Sequence, residues 1–389
     1  MHEPPILNRS IRSTLRSSSA VSQKMTNDTF PGKKQFLQRV LHRSCSEDGS
    51  SGSNRGRRGA DECRSVGGSP RLVKRGARRR SEEELVSLVK STVPRLSSGL
   101  GKGEGGRVAV FGGCVMYSGA AYIAAIAALR CGADMVHVFC EKEAGHVIRS
   151  FGPELVVHPV LDQEYGMEEI EVWLSRIQSA VVGPGLGRNQ SMAGRLSIIL
   201  EKIKERSLPV VVDADALWHL AVNPGMVCGY PKAVLTPNTQ ETHRLLSTFT
   251  NCRIDNPSES LTEHSVAELA KALGHVTILC KGTQDVVTDG HSTEICALAG
   301  TPRRCGGLGD LLTGLLATLL AWAWSPKTSQ QATTSSPSPS IVAAWGASRL
   351  ARGAAAKAFH NTGRGMTVQD VIRAVPDQFA TLYETETFL

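Results

Sequence analysis

Seven short apolar segments, each followed by a polar or glycine-rich loop, constrain the fold of this chain more than any other feature. Several of them, such as PVVVDAD, are apolar at consecutive positions and do not alternate with polar residues. Strands of this kind are buried on both faces, as in a parallel sheet that is covered by helices. The predicted strands are 107–113, 133–139, 155–161, 180–185, 209–215, 233–238 and 276–282.

Helical patterns lie between most of these segments, which predicts parallel strands joined by crossover helices. The expected fold class is α/β, with a doubly wound, mostly parallel sheet flanked by helices in a three-layer α/β/α arrangement. Residues 81–96 predict a capped amphipathic helix, and residues 285–298 predict a β-hairpin. Three long helices are expected at 311–323, 341–360 and 367–384.

Residues 1–80 differ in composition from the rest of the chain. They hold 18 of the 44 Lys and Arg residues but only 6 of the 36 Asp and Glu residues, and they are rich in Ser, Arg and Gly. Such a segment cannot bury enough apolar surface to offset its chain entropy, so we expect a disordered tail. Residues 81–389 are expected to form one folded domain with a low-complexity surface insertion at 325–340.

The basic charge of the chain lies in this tail, and the folded part carries a small acidic excess. Nucleic-acid-binding modules place basic residues on a folded face, so we expect no nucleic-acid partner. The first 43 residues are strongly basic, which resembles an organelle transit peptide. We expect a mitochondrial or cytoplasmic protein, with the mitochondrion favoured over an untargeted extension or a start at Met25. No apolar run is long enough to span a bilayer.

Several common motifs are absent. The Cys residues are scattered singly, without a C-x-x-C pair or a Cys/His cluster at zinc spacing. The GPGLG turn at 183–187 lacks the full G-x-G-x-x-G spacing, and no G-x-x-x-x-G-K-[ST] pattern occurs. The sequence therefore indicates neither hydride transfer on a Rossmann site nor a P-loop enzyme.

The polar loops are expected to meet at one edge of the sheet, because ligands of open α/β sheets bind beyond the carboxyl ends of the strands. The segment GTPRRCGGLGDLL at 300–312 adds glycines and two arginines just before an apolar helix. Backbone N–H groups at a helix N-terminus form a site for phosphate oxygens. Asp310 is either an N-cap or first-turn acid of this helix, or its carboxylate accepts a proton from a hydroxyl that attacks a phosphate.

Other loop residues leave two roles open. Lys281 is either a solvated strand end or a contact of nucleotide oxygens. Asn238 and Glu241 either cap a helix or hold Mg²⁺ through water. Asp213 and Asp215 would share a face if their strand continued; if the chain turns there, one faces the ligand while the other caps the next helix.

Taken together, the motifs resemble one family. Over residues 84–386 the chain is similar to the ATP-dependent (S)-NAD(P)H-hydrate dehydratases, which are metabolite-repair enzymes with a ribokinase-like fold. The matching segments are, in order, GGCVMYSGAAYIAAIAALRCGADMVHVFC, PELVVHPVL, VVGPGLGR, VVDADALW, AVLTPN, KGTQD and RRCGGLGDLLTG.

The resemblance implies an enzyme that dehydrates the S form of hydrated NADH or NADPH while ATP becomes ADP and phosphate. Phosphorylation of the substrate hydroxyl would create a leaving group, and elimination would restore NAD(P)H. Mg²⁺ is the implied metal, ATP the co-substrate and a separate NAD(P)H-hydrate epimerase the functional partner. A homo-oligomer is left open.

The resemblance also implies residue roles. Asp310 is the implied general base. The Mg²⁺ that the resemblance implies would be held through water by Glu241, the candidate from the N-x-x-E pattern. Hydrated NAD(P)H is expected to contact Gly185, Asn238, Thr239, Gln240, Glu241, Thr242, His243, Arg244 and Asp310. ATP is expected to contact Lys281, Gly282, Thr283, Gln284, Asp285, Gly300, Thr301, Pro302, Arg303, Arg304, Cys305, Gly306, Gly307, Leu308 and Gly309.

Three positions depart from the family pattern: Leu308 replaces the usual Gln, Thr239 a common His and Ala121 a Pro. The change at Leu308 removes a side-chain amide but no backbone N–H, so we expect the phosphate site to be retained. Two alternatives to the dehydratase are a ribokinase-like kinase for a vitamin or sugar alcohol, and a weakened pseudoenzyme or scaffold whose basic tail binds RNA or membrane.

Overall fold

The computed structural model describes residues 79–97, 99, 101–250, 261–326 and 337–384. The predicted tail, apart from its last two residues, and positions 327–336 of the predicted insertion lie outside this described part. The predictions made for them therefore stay predictions.

Nine strands of the described part form a single sheet. They are β1 (Arg107–Phe111), β2 (Met135–Cys140), β3 (Val156–Pro159), β4 (Ser179–Val182), β5 (Val210–Val212), β6 (Ala233–Leu235), β7 (Thr277–Cys280), β8 (Asp285–Thr288) and β9 (Thr293–Cys296). Their order is β3-β2-β1-β4-β5-β6-β7-β8-β9. The strands from β1 to β7 pair in parallel, and β8 and β9 add an antiparallel hairpin at one edge.

Eleven α-helices are found in the described residues. They are α1 (Glu82–Thr92), α2 (Ser118–Cys131), α3 (Lys142–Phe151), α4 (Gly166–Leu174), α5 (Gln190–Glu205), α6 (Asp215–Val222), α7 (Thr239–Phe249), α8 (Glu263–Ala272), α9 (Leu308–Ala323), α10 (Pro339–Thr362) and α11 (Val368–Tyr383). Within this part of the chain, no helix is both long and apolar enough to cross a membrane.

The helices cover both faces of the sheet, as successive side chains of each strand point to opposite sides. On one face, residues such as Val108, Val110 and Val181 pack against α1, α2, α3, α9, α10 and α11. On the other, residues such as Phe111 and Val182 pack against α4, α5, α6, α7 and α8. The predicted doubly wound, three-layer α/β/α architecture is confirmed.

All seven predicted strands and the hairpin are present, but most predicted boundaries differ from the observed ones, and three of these differences have a clear local cause. The first helix ends at Thr92 instead of continuing to 96, because Pro94 disfavours helical geometry at Val93. Strand β5 ends at Val212 and not at 215, because the backbone turns at Ala214. Helix α9 begins at Leu308 and not at 311, so its first turn contains polar and glycine residues that apolar periodicity does not detect.

The strand order reverses between β1 and β4, which makes the carboxyl ends of these two strands the topological switch point of the sheet. Ligands of doubly wound sheets bind at such a point. Helix α9 packs on β1, β4 and β5 and lies between α2 and α10. Since it is covered on several sides, almost all of its residues after the first turn are buried.

Candidate active site

The loops that follow β1 and β4 join at the switch point. The backbone N–H of Gly113 donates to the carbonyl of Pro184 at 3.0 Å, and that of Cys114 donates to the carbonyl of Gly185 at 2.7 Å. Gly185 has a φ of +61°, and a Cβ on it would lie 2.3 Å from the carbonyl oxygen of Tyr117. Only glycine fits this close approach. The structure thus explains Gly185 by loop packing, and its contact with the hydrate stays a prediction.

The start of α9 lies next to this junction and presents backbone donors. Gly307 is the N-cap residue, with a φ of +90°, and no side chain of the described residues caps the helix. The first N–H groups of a helix have no partner within it, so those of the first turn remain available to an anion. Asp310 is not the N-cap residue, but it lies in the first turn, as the structural alternative of a first-turn acid also expected.

Charged side chains from three other elements converge on the first turn of α9. The ammonium of Lys281, after β7, donates to Oδ1 of Asp213, after β5, at 2.9 Å. A Cβ built on Gly309 would lie 3.5 Å from Nζ of Lys281 and 3.7 Å from Oδ2 of Asp213. Both groups therefore lie beside the residue that precedes Asp310. Glu241, in the first turn of α7, also interacts with Lys281.

This surrounding suits Asp310 to proton transfer. Burial raises its pKa to about 7, with further increases from the negative charges of Asp213 and Asp215, while Lys281 acts in the opposite direction. A general base is most effective when its pKa lies near the working pH. Burial disfavours the charged form of Lys281, but the carboxylates of Asp213, Glu241 and Asp310 outweigh it and raise its pKa. Lys281 therefore remains a cation.

Asn238 and Glu241 form a complete capping box at the start of α7. Oδ1 of Asn238 accepts from the N–H of Glu241 at 2.9 Å, and Oε2 of Glu241 accepts from the N–H of Asn238 at 2.8 Å. The capping role is confirmed. Burial raises the pKa of Glu241, and the negative charge of Asp213 also raises it. The hydrogen bond from the N–H of Asn238 and the positive charge of Lys281 lower it.

The donor set can be tested against a bound Mg²⁺. No group of three or more His, Cys, Asp or Glu side chains in the described residues could hold a metal ion by itself. Asp213, Asp310 and Glu241 nevertheless surround one ammonium, which leaves negative charge in excess. Mg²⁺ usually keeps several waters and binds through one or two carboxylates plus substrate phosphates. The residues therefore fit an ion that is held mainly by phosphate and water.

The remaining residues of the predicted hydrate segment differ in accessibility. Thr239, Gln240 and Arg244 are exposed, and they can reach a ligand. Thr242 is fully buried, and its hydroxyl donates to the carbonyl of Asn238 at 2.8 Å. Thr242 therefore supports the start of α7, and its contact with the hydrate stays a prediction. His243 has two buried ring nitrogens without a hydrogen-bond partner among the described residues.

The first predicted nucleotide segment is a loop held from below by an ion pair. Gly282, Thr283 and Gln284 are exposed, whereas Asp285 is 6% exposed. Its carboxylate accepts from Nε of Arg352 at 2.9 Å and from the hydroxyl of Ser348 at 2.7 Å. The carboxylate of Asp285 therefore supports this loop, and its contact with the nucleotide stays a prediction.

Arg352, which sequence reasoning missed, connects the two predicted nucleotide segments. Besides Asp285, its guanidinium donates to the carbonyls of Gly282 at 2.7 Å, Thr283 at 2.9 Å and Leu298 at 2.9 Å. It therefore fixes the loop after β7 to the chain that leaves β9. The available sequence signal was a cationic side chain inside a helix rich in Ala and Gly.

The second predicted nucleotide segment, 300–309, runs along the rim of the site. Gly300, Pro302, Arg303, Arg304 and Gly306 are exposed, and Thr301 and Cys305 are partly buried. Leu308 is partly buried and packs against the apolar core on the face of the sheet that α9 covers. This contact gives a physical reason for an apolar side chain at the position where the family usually has Gln.

Asp213 and Asp215 have separate roles. Asp213 faces the charged cluster, whereas Asp215 accepts from the N–H of Gly187 at 3.0 Å and from Nε of Arg188 at 2.7 Å. Asp215 thus holds the loop after β4 and does not cap its own helix.

With this geometry described, the chain can be compared with known proteins. Residues 108–377 match the family model for NAD(P)H-hydrate dehydratase. The chain belongs to this family. An ATP-dependent (S)-NAD(P)H-hydrate dehydratase from Danio rerio is 44% identical over 303 residues, which cover 78% of this chain and 90% of the relative.

Solved structures share the fold. A ribokinase-like superfamily protein from Enterococcus faecalis has a TM-score of 0.64 at 20% identity, covering 81% of this chain and 99% of its own. An ADP/ATP-dependent NAD(P)H-hydrate dehydratase from Bacillus subtilis, co-crystallised with ATP/Mg²⁺, has a TM-score of 0.54 at 20% identity, covering 76% and 97%. These likenesses confirm the ribokinase-like fold.

Proposed function

We propose that this chain is an ATP-dependent (S)-NAD(P)H-hydrate dehydratase, a hydro-lyase that returns hydrated NADH or NADPH to NAD(P)H. The observation that carries the proposal is the position of Asp310. Its carboxylate has a pKa raised to about 7 and lies in the first turn of an uncapped helix, with Lys281 close by. Membership of the family supplies the reaction to which this geometry is suited.

The chain supplies several groups for ATP. The free N–H groups at the start of α9 and the ammonium of Lys281 would bind the terminal phosphates. The exposed turn 282–284 and the rim segment 300–306 would contact the rest of the nucleotide. Arg303 and Arg304 are exposed on that rim and would add positive charge near the phosphates.

In the first chemical step, Asp310 accepts the proton of the substrate hydroxyl while the hydroxyl oxygen attacks the γ-phosphorus of ATP. The bond between that phosphorus and the bridging oxygen breaks, and ADP leaves. In the second step, the lone pair of the ring nitrogen expels phosphate from the adjacent carbon. Loss of a proton from the neighbouring ring carbon then restores the dihydropyridine. The products are NAD(P)H, ADP and phosphate.

We further propose that Mg²⁺ accompanies ATP and neutralises phosphate charge during transfer. Glu241 would hold the ion through water, since one of its oxygens is committed to the capping box. The acidic excess around Lys281 supports this assignment.

We also propose a mitochondrial location, on the basis of the basic residues among the first 43 positions. A separate epimerase would be the functional partner, because an enzyme that accepts one epimer needs the other to be converted.

The proposal is tested by incubation of the chain with hydrated NADH, ATP and Mg²⁺, following ADP and the absorbance of reduced nicotinamide together. A dehydratase releases ADP and regenerates the chromophore in equal amounts. A kinase that yields a stable phosphate ester would release ADP without the chromophore, and a scaffold would produce neither. Either outcome would refute the proposed function.

A further inference from the structure

Asp213 is a buried residue with its carboxylate at the centre of the site. The sequence left its role open. Asp213 directly follows β5 and is 2% exposed. Its backbone N–H continues the ladder to β4 by donating to the carbonyl of Val182 at 3.1 Å. The residue is therefore held firmly by the sheet, and its side chain has little freedom to move away.

The chain turns sharply just after Asp213, and the turn is strained. Ala214 has a φ of +50° and a ψ of −120°, a backbone conformation that residues other than glycine rarely adopt. A Cβ on the neighbouring Gly183 would lie 1.8 Å from the carbonyl oxygen of Asp213. Strain of this kind persists only where the surrounding structure enforces it, and it is concentrated at functional sites. Here its effect is to direct Asp213 and Asp215 to different partners.

Asp213 is bound to Lys281 and lies beside the first turn of α9. The pair is separated by 2.9 Å, with side-chain exposures of 22% for Lys281 and 3% for Asp213. The other charged groups that act on this pair are Asp310 from α9 and Glu241 from α7. Asp215, from α6, is bound to Arg188 but also raises the pKa of Asp310. Arg244, also on α7, lowers the pKa of Glu241 by its positive charge.

We propose that Asp213 is a positioning residue: it holds the ammonium of Lys281 beside Gly309, which keeps the carboxylate of Asp310 free to accept the substrate proton. The assignment rests on the proposed function, because Asp310 needs a free carboxylate only if it acts as a base. Without a negative charge at position 213, the ammonium of Lys281 pairs with Asp310, and the base is neutralised by the group that should bind phosphate.

The charges make the direction of the effect clear. Burial and then Asp213 raise the pKa of Asp310, whereas Lys281 lowers it. Replacement of Asp213 by Asn removes one raising charge and releases the lowering one. Both changes act in the same direction, so the pKa of Asp310 falls and the carboxylate becomes a weaker base.

The test compares Asp213→Asn with the wild type in kcat, in KM for ATP, in KM for hydrated NADH and in the pH profile of kcat/KM. We expect kcat to fall by about 10-fold to 100-fold, the range for a misplaced catalytic group. The acidic limb of the profile moves to lower pH, while KM for the hydrate changes little. A variant with an unmoved acidic limb, or with kcat and both KM values unchanged, overturns the assignment.

Two further variants separate positioning from folding. Asp215→Asn is the matched control, because it makes the same change two residues away but breaks the contacts with Gly187 and Arg188. It should shift the acidic limb less than Asp213→Asn does. Asp213→Glu retains the charge, so it should restore part of the lost kcat. If Asp213→Glu and Asp213→Asn are equally impaired at equal thermal stability, the role assigned to the charge is wrong.

Failure of the proposed function is recognised separately. A wild-type chain that regenerates no NADH refutes the dehydratase and leaves the ionisation of Asp310 still measurable. Carbon-13 NMR titration of the Asp310 carboxylate in the wild type and in Asp213→Asn then decides the inference. A lower titration midpoint in the variant supports it, and identical midpoints overturn it.

Discussion

Replacement of Arg352 by Met is expected to destabilise the fold and loosen the nucleotide site at the same time. Arg352 and Asp285 form a buried ion pair, with side chains 11% and 8% exposed. Removal of one partner of such a pair leaves an uncompensated buried charge and costs about 3–5 kcal/mol. The hydroxyl of Ser348 and the N–H of Gly282 remain bound to Asp285, which places the expected loss toward the lower end of that range.

Arg349→Met is the matched control for this measurement. It lies one helical turn earlier on α10 and pairs with Glu82, whose side chain is 54% exposed. The side chain of Arg349 is itself 17% exposed, but the Glu82 carboxylate that its removal leaves behind is solvated, so the expected cost is near that of a surface pair, about 0–1 kcal/mol. Urea unfolding of both variants should therefore give a loss in the free energy of unfolding that is several-fold larger for Arg352→Met.

The same two variants have distinct kinetic consequences. Because Arg352 connects the 282–285 loop to Leu298, its loss should raise KM for ATP more than KM for hydrated NADH. Arg349→Met should leave both KM values near those of the wild type. The reasoning is refuted if the two variants lose equal stability, or if KM for ATP is unchanged in a folded Arg352→Met protein.

Three further predictions concern the site itself. Asp310→Asn should abolish turnover while ATP still binds, as measured by calorimetry. In the wild type, burial raises the pKa of Asp310 to about 7. Activity should therefore rise as the pH increases through 7 and level off above it. Steady-state kinetics that show a flat profile between pH 6 and 8, a window set by that pKa, would argue against Asp310 as the base. Lys281→Ala should raise KM for ATP more than KM for the hydrate, and equal changes in both would contradict its assignment to phosphate. Ala214→Gly should raise the free energy of unfolding in urea by about 1 kcal/mol, since relief of strain exceeds the added chain entropy. The control Ala267→Gly, within α8, should instead lower it by about 1 kcal/mol. A loss of stability at both positions would show that Ala214 is not strained.

The sheet and its layers were predictable because the relevant signal is local. Runs such as Val210–Val212 are apolar without alternation, and each is followed by a turn residue or a glycine. The start of α9 was placed three residues too late, since Leu308, Gly309 and Asp310 do not show apolar periodicity. A helix that begins at a positive-φ glycine has no side-chain cap in its sequence to mark it.

The site was predictable where one loop supplies the chemistry, as at Asp310 and Lys281. It was not predictable where the role depends on a contact between distant parts of the chain. The pairing of Arg352 with Asp285 spans 67 positions, and many cationic residues in helices are only solvated. The division of roles between Asp213 and Asp215 depends on the positive φ of Ala214. An alanine at that position does not predict such a backbone conformation.

The role of Thr242 illustrates the same limit from the other side. Its segment is exposed at both ends, yet the helical period turns this one hydroxyl inward to the carbonyl of Asn238. Residues of one contiguous segment can therefore differ in which side of the helix their side chains face.

If the substrate hydroxyl is phosphorylated before it leaves, its oxygen ends in inorganic phosphate. Isotopic labelling of that oxygen tests this order of steps. Hydrated NADH labelled with oxygen-18 in that hydroxyl is incubated with the chain, ATP and Mg²⁺, and phosphate and water are analysed by mass spectrometry. The label is expected in inorganic phosphate, one atom for each NADH formed. Label released into water while ATP is consumed would contradict this order of steps.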